Sequence, residues 1–256
     1  MGKTTATDAV VVTDDDAVRI IRMNRPAKKN ALTLEMYAAM TSALRAVDGS
    51  DAVRCVLIAG APGVFTAGND INDFMQAAIA GGAEWSSDAF RFLDALAGCR
   101  KPIVAAVGGI AVGIGATLLL HCDHVVMAND AILSTPFMRL GLIPEAASTL
   151  LAPLRMGHAR AFSMLAMGRP LSAAEAKEAG LVNAVVRAGE VDAIALAAAH
   201  EIAALPPQAL AVTRRLMRGN VDEVAKRIEA EGTHFSELLK SDAARAAFQA
   251  FLDRKK

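Results

Sequence analysis

Short runs of β-branched and aliphatic residues recur through the first two thirds of the chain: AVVVT from Ala9, AVRIIRM from Ala17, CVLIAG from Cys55, PIVAAV from Pro102 and HVVMA from His124. They alternate with stretches of helical character, which predicts an α/β fold. The first two runs are joined by Asp14 to Asp16 and predict a hairpin, whereas the later ones lie far enough apart for helical crossovers. After Val186 the pattern changes. DAIALAAAHEIAAL, QALAVTRRLMR, VDEVAKRIEAEGTHFSELL and DAARAAFQAFLD are amphipathic, largely Ala-rich and free of strand signals, and Pro206, Pro207 and Gly219 punctuate them. This divides the chain into a core over 1–190 and a helical region over 191–256, and apolar helix faces of this kind predict packing against other subunits as well as the core.

The apolar run IVAAVGGIAVGIGATLLL from Ile103 has the length of a membrane span, but Gly108, Gly109, Gly113 and Gly115 cut it into strand, turn and buried helix. Composition adds little to this picture. With 54% apolar residues and 27 acidic against 27 basic side chains in 256 residues, the chain has a large core and no electrostatic footprint for nucleic acid or an anionic membrane. Cys55, Cys99 and Cys122 are far apart in apolar segments and predict buried free thiols rather than disulfides or a zinc knuckle. His121 and His124 have a helical ligand spacing, but the strand-like run that begins at His124 separates them, so no metal site is expected. No secretory signal leads the sequence and no peroxisomal address ends it, which makes the cytoplasm the expected compartment.

Candidate chemistry gathers in two glycine turns and around one acid. In GVFTAGNDINDF (from Gly63) and VGGIAVGIGATLLL (from Val107), glycines allow close approach of a ligand to backbone N–H groups, the arrangement an oxyanion needs. Glu145, in LGLIPEAAST, is isolated among apolar and small residues behind Pro144. One reading makes it an ordinary helix-start residue, with proline in the first turn and a carboxylate favoured by the helix dipole. The other makes it a catalytic acid or base.

In order and spacing, NRPAKKNAL (from Asn24), FTAGNDI (from Phe65), KPIVAAVGGIAVGIGA (from Lys101), CDHVVMA, LGLIPEAAST and SAAEAKEAGLVNAVV (from Ser172) resemble the crotonase, or enoyl-CoA hydratase/isomerase, superfamily. The resemblance covers roughly 10–190. It implies a spiral of ββα units with a C-terminal helical region, a homotrimer or hexamer, and an acyl-CoA thioester substrate whose CoA is part of the substrate, with no separate cofactor. It also implies that the backbone N–H groups of Asn69 and Ile114 hold the thioester oxygen as it becomes an enolate. Contacts to CoA are implied at Lys29, Ala31, Ala67, Asn69, Asp70 and Ile71. Arg25 and Lys28 are further candidates for the CoA phosphates.

The departures are informative. The two acids of the hydratase branch correspond to Thr117 and Phe137, neither of which does acid/base work. Glu145, by contrast, falls where the peroxisomal-type 3-enoyl-CoA isomerase branch has its catalytic carboxylate, and GND, VGIGATLL and TPF resemble that branch as well. Moving a double bond from C3 to C2 takes a proton from C2 and returns one to C4, so one carboxylate suffices. Burial raises its pKa and a helix N-terminus lowers it, and burial is expected to dominate. A hydratase, hydrolase or dehalogenase reaction, and a non-catalytic acyl-CoA binder, are the alternatives. Asp70, Asp73 and Asp123 read as local hydrogen-bonders, and Trp85 either as a cover for the acyl pocket or as part of a surface loop.

Overall fold

The computed structural model describes residues 7–71, 73–75 and 83–253. The readings of the first six residues and of the last three lie outside these.

β1 (Val10–Asp15) and β2 (Val18–Met23) pair as the expected antiparallel hairpin, Val10 opposite Met23 and Asp15 opposite Val18, with Asp16 turning at a φ of 49°. β2 then pairs in parallel with β3 (Cys55–Ala59), β3 with β4 (Ile103–Val107), β4 with β6 (His124–Ala128) and β6 with β9 (Ala184–Val186), giving the order β1-β2-β3-β4-β6-β9. β3 and β4 are buried at every position, which is why their sequences are continuously apolar rather than alternating. Cys55, Cys99 and Cys122 are free and buried, as expected.

A second, small sheet has the order β5-β7-β8, from Ile110–Val112, Ile132–Ser134 and Leu171–Ser172. β5 was not anticipated. The glycine-rich segment from Ile103 was expected to pass from strand through a turn to helix, but after Gly108 and Gly109 the chain enters this extra strand first. Only then does the short helix α3 (Ile114–Thr117) begin, and it runs into a 3-10 turn over Leu118–His121. His121 closes that turn and His124 opens β6.

The helices are numbered in chain order. α1 (Leu34–Asp48) is capped by Thr33, whose hydroxyl accepts the Met36 N–H, and packs against α2 (Ala83–Gly98). Trp85 therefore has a helical backbone, and its side chain lies outside the described residues. α4 (Ser148–Met156), α5 (His158–Leu165) and α6 (Ala173–Glu178) follow, α6 opening with a Ser172/Glu175 capping box.

The C-terminal region supplies α7 (Val191–Ala204), α8 (Pro207–Arg218), α9 (Val221–Leu239) and α10 (Asp242–Asp253). α7 lays Ala195, Ala199 and Ala203 across β3, β4 and β6, while α9 packs on α2 and α4 and α10 lies over the 3-10 turn Phe137–Leu140. The helical region thus closes the same core that the sheets begin. α8 leaves Leu216 and Met217 at 73% and 82% exposure. No helix among the described residues is long and apolar enough to cross a membrane.

Candidate active site

The two glycine turns lie side by side. Thr66 bridges Ala111 in parallel and the Val112 N–H donates to Thr66 O at 3.0 Å, so the segment 66–69 runs along the segment 111–114. Gly68 has a φ of +83°, and a Cβ there would stand 2.8 Å from Val112 O; a Cβ on Gly115 would meet the Thr66 methyl at 2.4 Å. Glycine is required because the two backbones touch. Asn30, fully buried at a φ of 52°, ties this layer together: its amide donates to Phe65 O at 2.9 Å, its carbonyl accepts the Thr66 hydroxyl at 2.6 Å, and its side-chain oxygen accepts Arg25 N–H at 2.7 Å.

Asn69 follows one turn and Ile114 opens α3 after the other. Among the described residues, neither backbone N–H is donated to another group. The Ile114 N–H is one of the donors a helix start always leaves without an intrahelical partner. Gly68, Asn69, Val112 and Gly113 line a 720 Å³ cleft whose far wall includes Phe137 from the 3-10 turn and Phe248 from α10.

Glu145 is 5% exposed. The Thr117 hydroxyl donates to its Oε1 at 2.8 Å. Thr117, expected from the resemblance to replace an acid of the hydratase branch, is thus a hydrogen-bond donor to Glu145. Burial pushes the Glu145 carboxyl up to about 8, opposed by the Thr117 hydrogen bond and reinforced by the charge of Glu231. Desolvation outweighs the opposing hydrogen bonds, in the direction expected, although it is these bonds and not a helix N-terminus that oppose it.

The local structure differs from the helix start that Pro144 suggested. α4 begins at Ser148, three residues after Glu145, and Ala146 and Ala147 take left-handed conformations at φ 65° and 52°. Non-glycine residues in this region cost on the order of 1–3 kcal/mol each and persist only where the surroundings enforce them. Here His121 Nε2–H donates to Ala146 O at 2.8 Å, and burial holds that imidazole down to about 4 and hence neutral. The dipole argument for a first-turn carboxylate therefore does not apply to Glu145. Chain reversal after Pro144, rather than helix initiation, carries the side chain inward.

Glu145 lines a cavity of 10 Å³ together with Tyr37, Ile114, Phe90, Leu93 and Phe235, near the smallest space that admits one water. Tyr37, 1% exposed, donates its hydroxyl to the Asn69 side-chain oxygen. Glu145, Asn69 and Ile114, distant in sequence, are thereby joined through one buried tyrosine and one shared cavity.

The residues expected to contact CoA fall into two groups. Ala67, Asn69 and Ile71 line the cleft, the Lys29 side chain is exposed, and Ala31 is half-buried. Asp70 is 8% exposed and its carboxylate takes the Arg25 guanidinium at 2.6 Å, while Arg25 also donates to Ala31 O. Both charges are committed to holding the loop together. Asp73 accepts from the Leu34 amide, and Asp123 accepts from Ile103 N–H and from Arg214, in line with structural readings. Tyr37, Asn30 and Glu231 carried no expectation from sequence. A signal for Glu231 existed, since it shares the buried stripe of α9 with Ile228, Phe235 and Leu239, an anomalous place for an acid.

The family described as Enoyl-CoA hydratase/isomerase matches residues 13–256. A rat protein named Enoyl-CoA delta isomerase 2 is 34% identical over 260 residues, covering 99% of this chain and 66% of its own length, so the chain spans about two thirds of that relative. A Mycobacterium leprae protein named "Probable enoyl-CoA hydratase echA8" is 30% identical over 97% of this chain and 96% of its own. The structure of Pseudomonas aeruginosa OdaA superposes with a TM-score of 0.91 at 40% identity, covering 96% of this chain and 99% of that one.

Proposed function

Because this chain belongs to the enoyl-CoA hydratase/isomerase, or crotonase, family, whose members act on acyl-CoA thioesters, we propose that it shifts the double bond of a 3-enoyl-CoA to the 2-position. The observation that carries this reading is Glu145: an acid, buried, hydrogen-bonded by Thr117, in a cavity that Ile114 also lines.

In the proposed reaction the Glu145 carboxylate takes a proton from C2. The electrons of the broken C–H bond move into the thioester, whose oxygen gains negative charge and is held by the Asn69 and Ile114 N–H groups. Each such donor is worth about 3 kcal/mol in the transition state. The protonated acid then returns its proton at C4 as the C3–C4 double bond becomes C2–C3. The reaction is redox-neutral, and CoA takes part only as the thioester handle. A carboxyl poised near 8 suits both halves, since it is basic enough to remove the proton and acidic enough to give it back.

Some relatives are named hydratases, and hydration needs a water activated on one side and a proton delivered on the other. Thr117 is occupied with Glu145, and Phe137 has no group that titrates. The test is incubation of the pure protein with 3-enoyl-CoA and, separately, 2-enoyl-CoA, with products identified by mass and by absorbance of the conjugated thioester. Conjugation without mass change supports isomerisation; a gain of one water from 2-enoyl-CoA at a comparable rate refutes it.

A further inference from the structure

Glu231 of α9 reaches the loop that presents Glu145. It is 3% exposed, and its Oε1 accepts the Thr149 N–H at 3.0 Å and the Thr149 hydroxyl at 2.6 Å, across 82 residues of sequence. Thr149 Oγ1 accepts in turn from Arg227 at 3.0 Å, and the Ala147 amide lies close enough to favour the charged form of Glu231.

These bonds do what a local cap does elsewhere. The first N–H groups of a helix need acceptors, ordinarily a Ser, Thr, Asp or Asn side chain at the N-cap. At the start of α4 the N-cap is Ala147 in a left-handed conformation, with no side-chain cap of its own. A buried carboxylate is an expensive replacement for a serine, and it does something a serine does not: it fastens the strained Ala146–Ala147 reversal to a different helix. Glu145 lies directly before that reversal.

We propose that Glu231 is a positioning residue, a remote helix cap through which α9 holds the Glu145 loop in its left-handed course. The proposal rests on the proton-shuttle reading of Glu145. Its charge acts as well as its shape. Glu145 is faced by Thr117 from α3, Tyr37 from α1 and Glu231 from α9, and Glu231 by Thr149 and Arg227. Burial raises the Glu231 carboxyl, opposed by Thr149, the Ala147 amide and Arg227, and burial raises Glu145, opposed by Thr117 and its own amide, so Glu231 has the more donors to hold its charged form. The sign is definite: a negative Glu231 raises the pKa of Glu145.

Glu231→Gln and Glu231→Ala in the full chain separate the two effects. Gln keeps an acceptor for Thr149 and removes the charge; it should retain most of the alkaline-plateau kcat while the acid limb of the kcat profile moves to lower pH. Ala removes the cap, and misplacement of the base should lower kcat by about 10²-fold with KM little changed. If both variants are folded by circular dichroism and show wild-type kcat with an unmoved acid limb, the proposal is wrong. Should Ala not fold, the limb of the Gln variant decides alone. A second readout needs no turnover: the pH at which the Tm gap between Glu145→Gln and its parent stops widening should be lower, and the final gap smaller, in the Glu231→Gln background than in the wild type. If the wild type fails to isomerise 3-enoyl-CoA, the shuttle reading fails, yet this thermal comparison still tests the link, and an unchanged plateau pH and gap overturn it.

Discussion

Replacing Glu145 by Gln should destroy turnover and, at neutral pH, stabilise the protein. Gln keeps the size of the side chain and an oxygen to accept the Thr117 hydroxyl, but it cannot take a proton. Loss of general base action should lower kcat by at least about 10², with acyl-CoA affinity nearly unchanged because binding rests on backbone and cleft contacts. The stability effect follows from linkage. The Glu145 carboxyl has an ordinary value of 4.5 and is pushed up to about 8 in the fold. Below the ordinary value it is protonated in both folded and unfolded chains and has no effect. As pH rises from there the unfolded chain loses this proton first, so stability falls until the folded carboxyl also ionises near 8. At pH 7 the penalty amounts to about 3 kcal/mol. Gln removes it, which for a chain of this size should raise Tm by roughly 5–10 °C. Differential scanning calorimetry of wild type and variant at pH 4.5 and pH 7.5 checks the argument. The two Tm values should agree at the acid end and separate at the neutral end. A gain of equal size at both pH values would attribute the change to packing rather than ionisation, and wild-type turnover in the variant would return Glu145 to a merely structural role.

The glycine turn gives a second test. Gly68→Ala introduces a Cβ at positive φ, 2.8 Å from Val112 O, and should destabilise the chain by at least ~1–2 kcal/mol while displacing the Asn69 N–H; urea denaturation and kcat measured on folded protein report the two separately. Asn69→Ala should keep substantial activity, because the proposed donor is backbone, but it removes the acceptor of the buried Tyr37 hydroxyl and should cost about 1–3 kcal/mol; the double variant with Tyr37→Phe should regain part of that in chemical denaturation, and collapse of kcat in Asn69→Ala alone would reveal a chemical role for the amide. For the proposed assembly, light scattering should give a trimer or a multiple of it. Met217→Glu, at an 82% exposed position on α8, should lower the mass, and a wild-type monomer at micromolar concentration would refute the assembly.

What the sequence disclosed and what it concealed divide along separation in the chain. β1, β2, β3, β4 and β6 were legible from unbroken β-branched runs, the hairpin from three adjacent aspartates, and the two turns from their glycines, although what requires Gly68 and Gly115 is contact between segments about 45 residues apart. Glu145 stood out only with the resemblance to the isomerase branch, since a carboxylate behind a proline also suits an ordinary helix start. The course of its loop was misread, since Pro144 favours a helix start but cannot reveal that His121 and Glu231, brought from 25 and 82 residues away, bond the residues around the reversal. β5, β7, β8 and β9 were missed because two or three residues carry too little periodicity. Asp70 matched a substrate-binding motif, yet its pairing with Arg25, 45 positions earlier, is a tertiary fact. Motif resemblance identifies positions; only packing shows which of their groups remain available.

The wall of the cleft has a consequence for biosynthesis. Phe235 lines the Glu145 cavity and Phe248 lines the larger cleft, while the acid itself and both glycine turns precede them by roughly a hundred residues or more. A nascent chain emerging N-terminal end first can form the hairpin and most of the sheet before either phenylalanine exists. Until then the Glu145 cavity lacks its Phe235 wall and the burial of the carboxyl is incomplete. The burial that raises this acid is consequently completed only by Phe235 of α9, 90 residues after Glu145 in the chain.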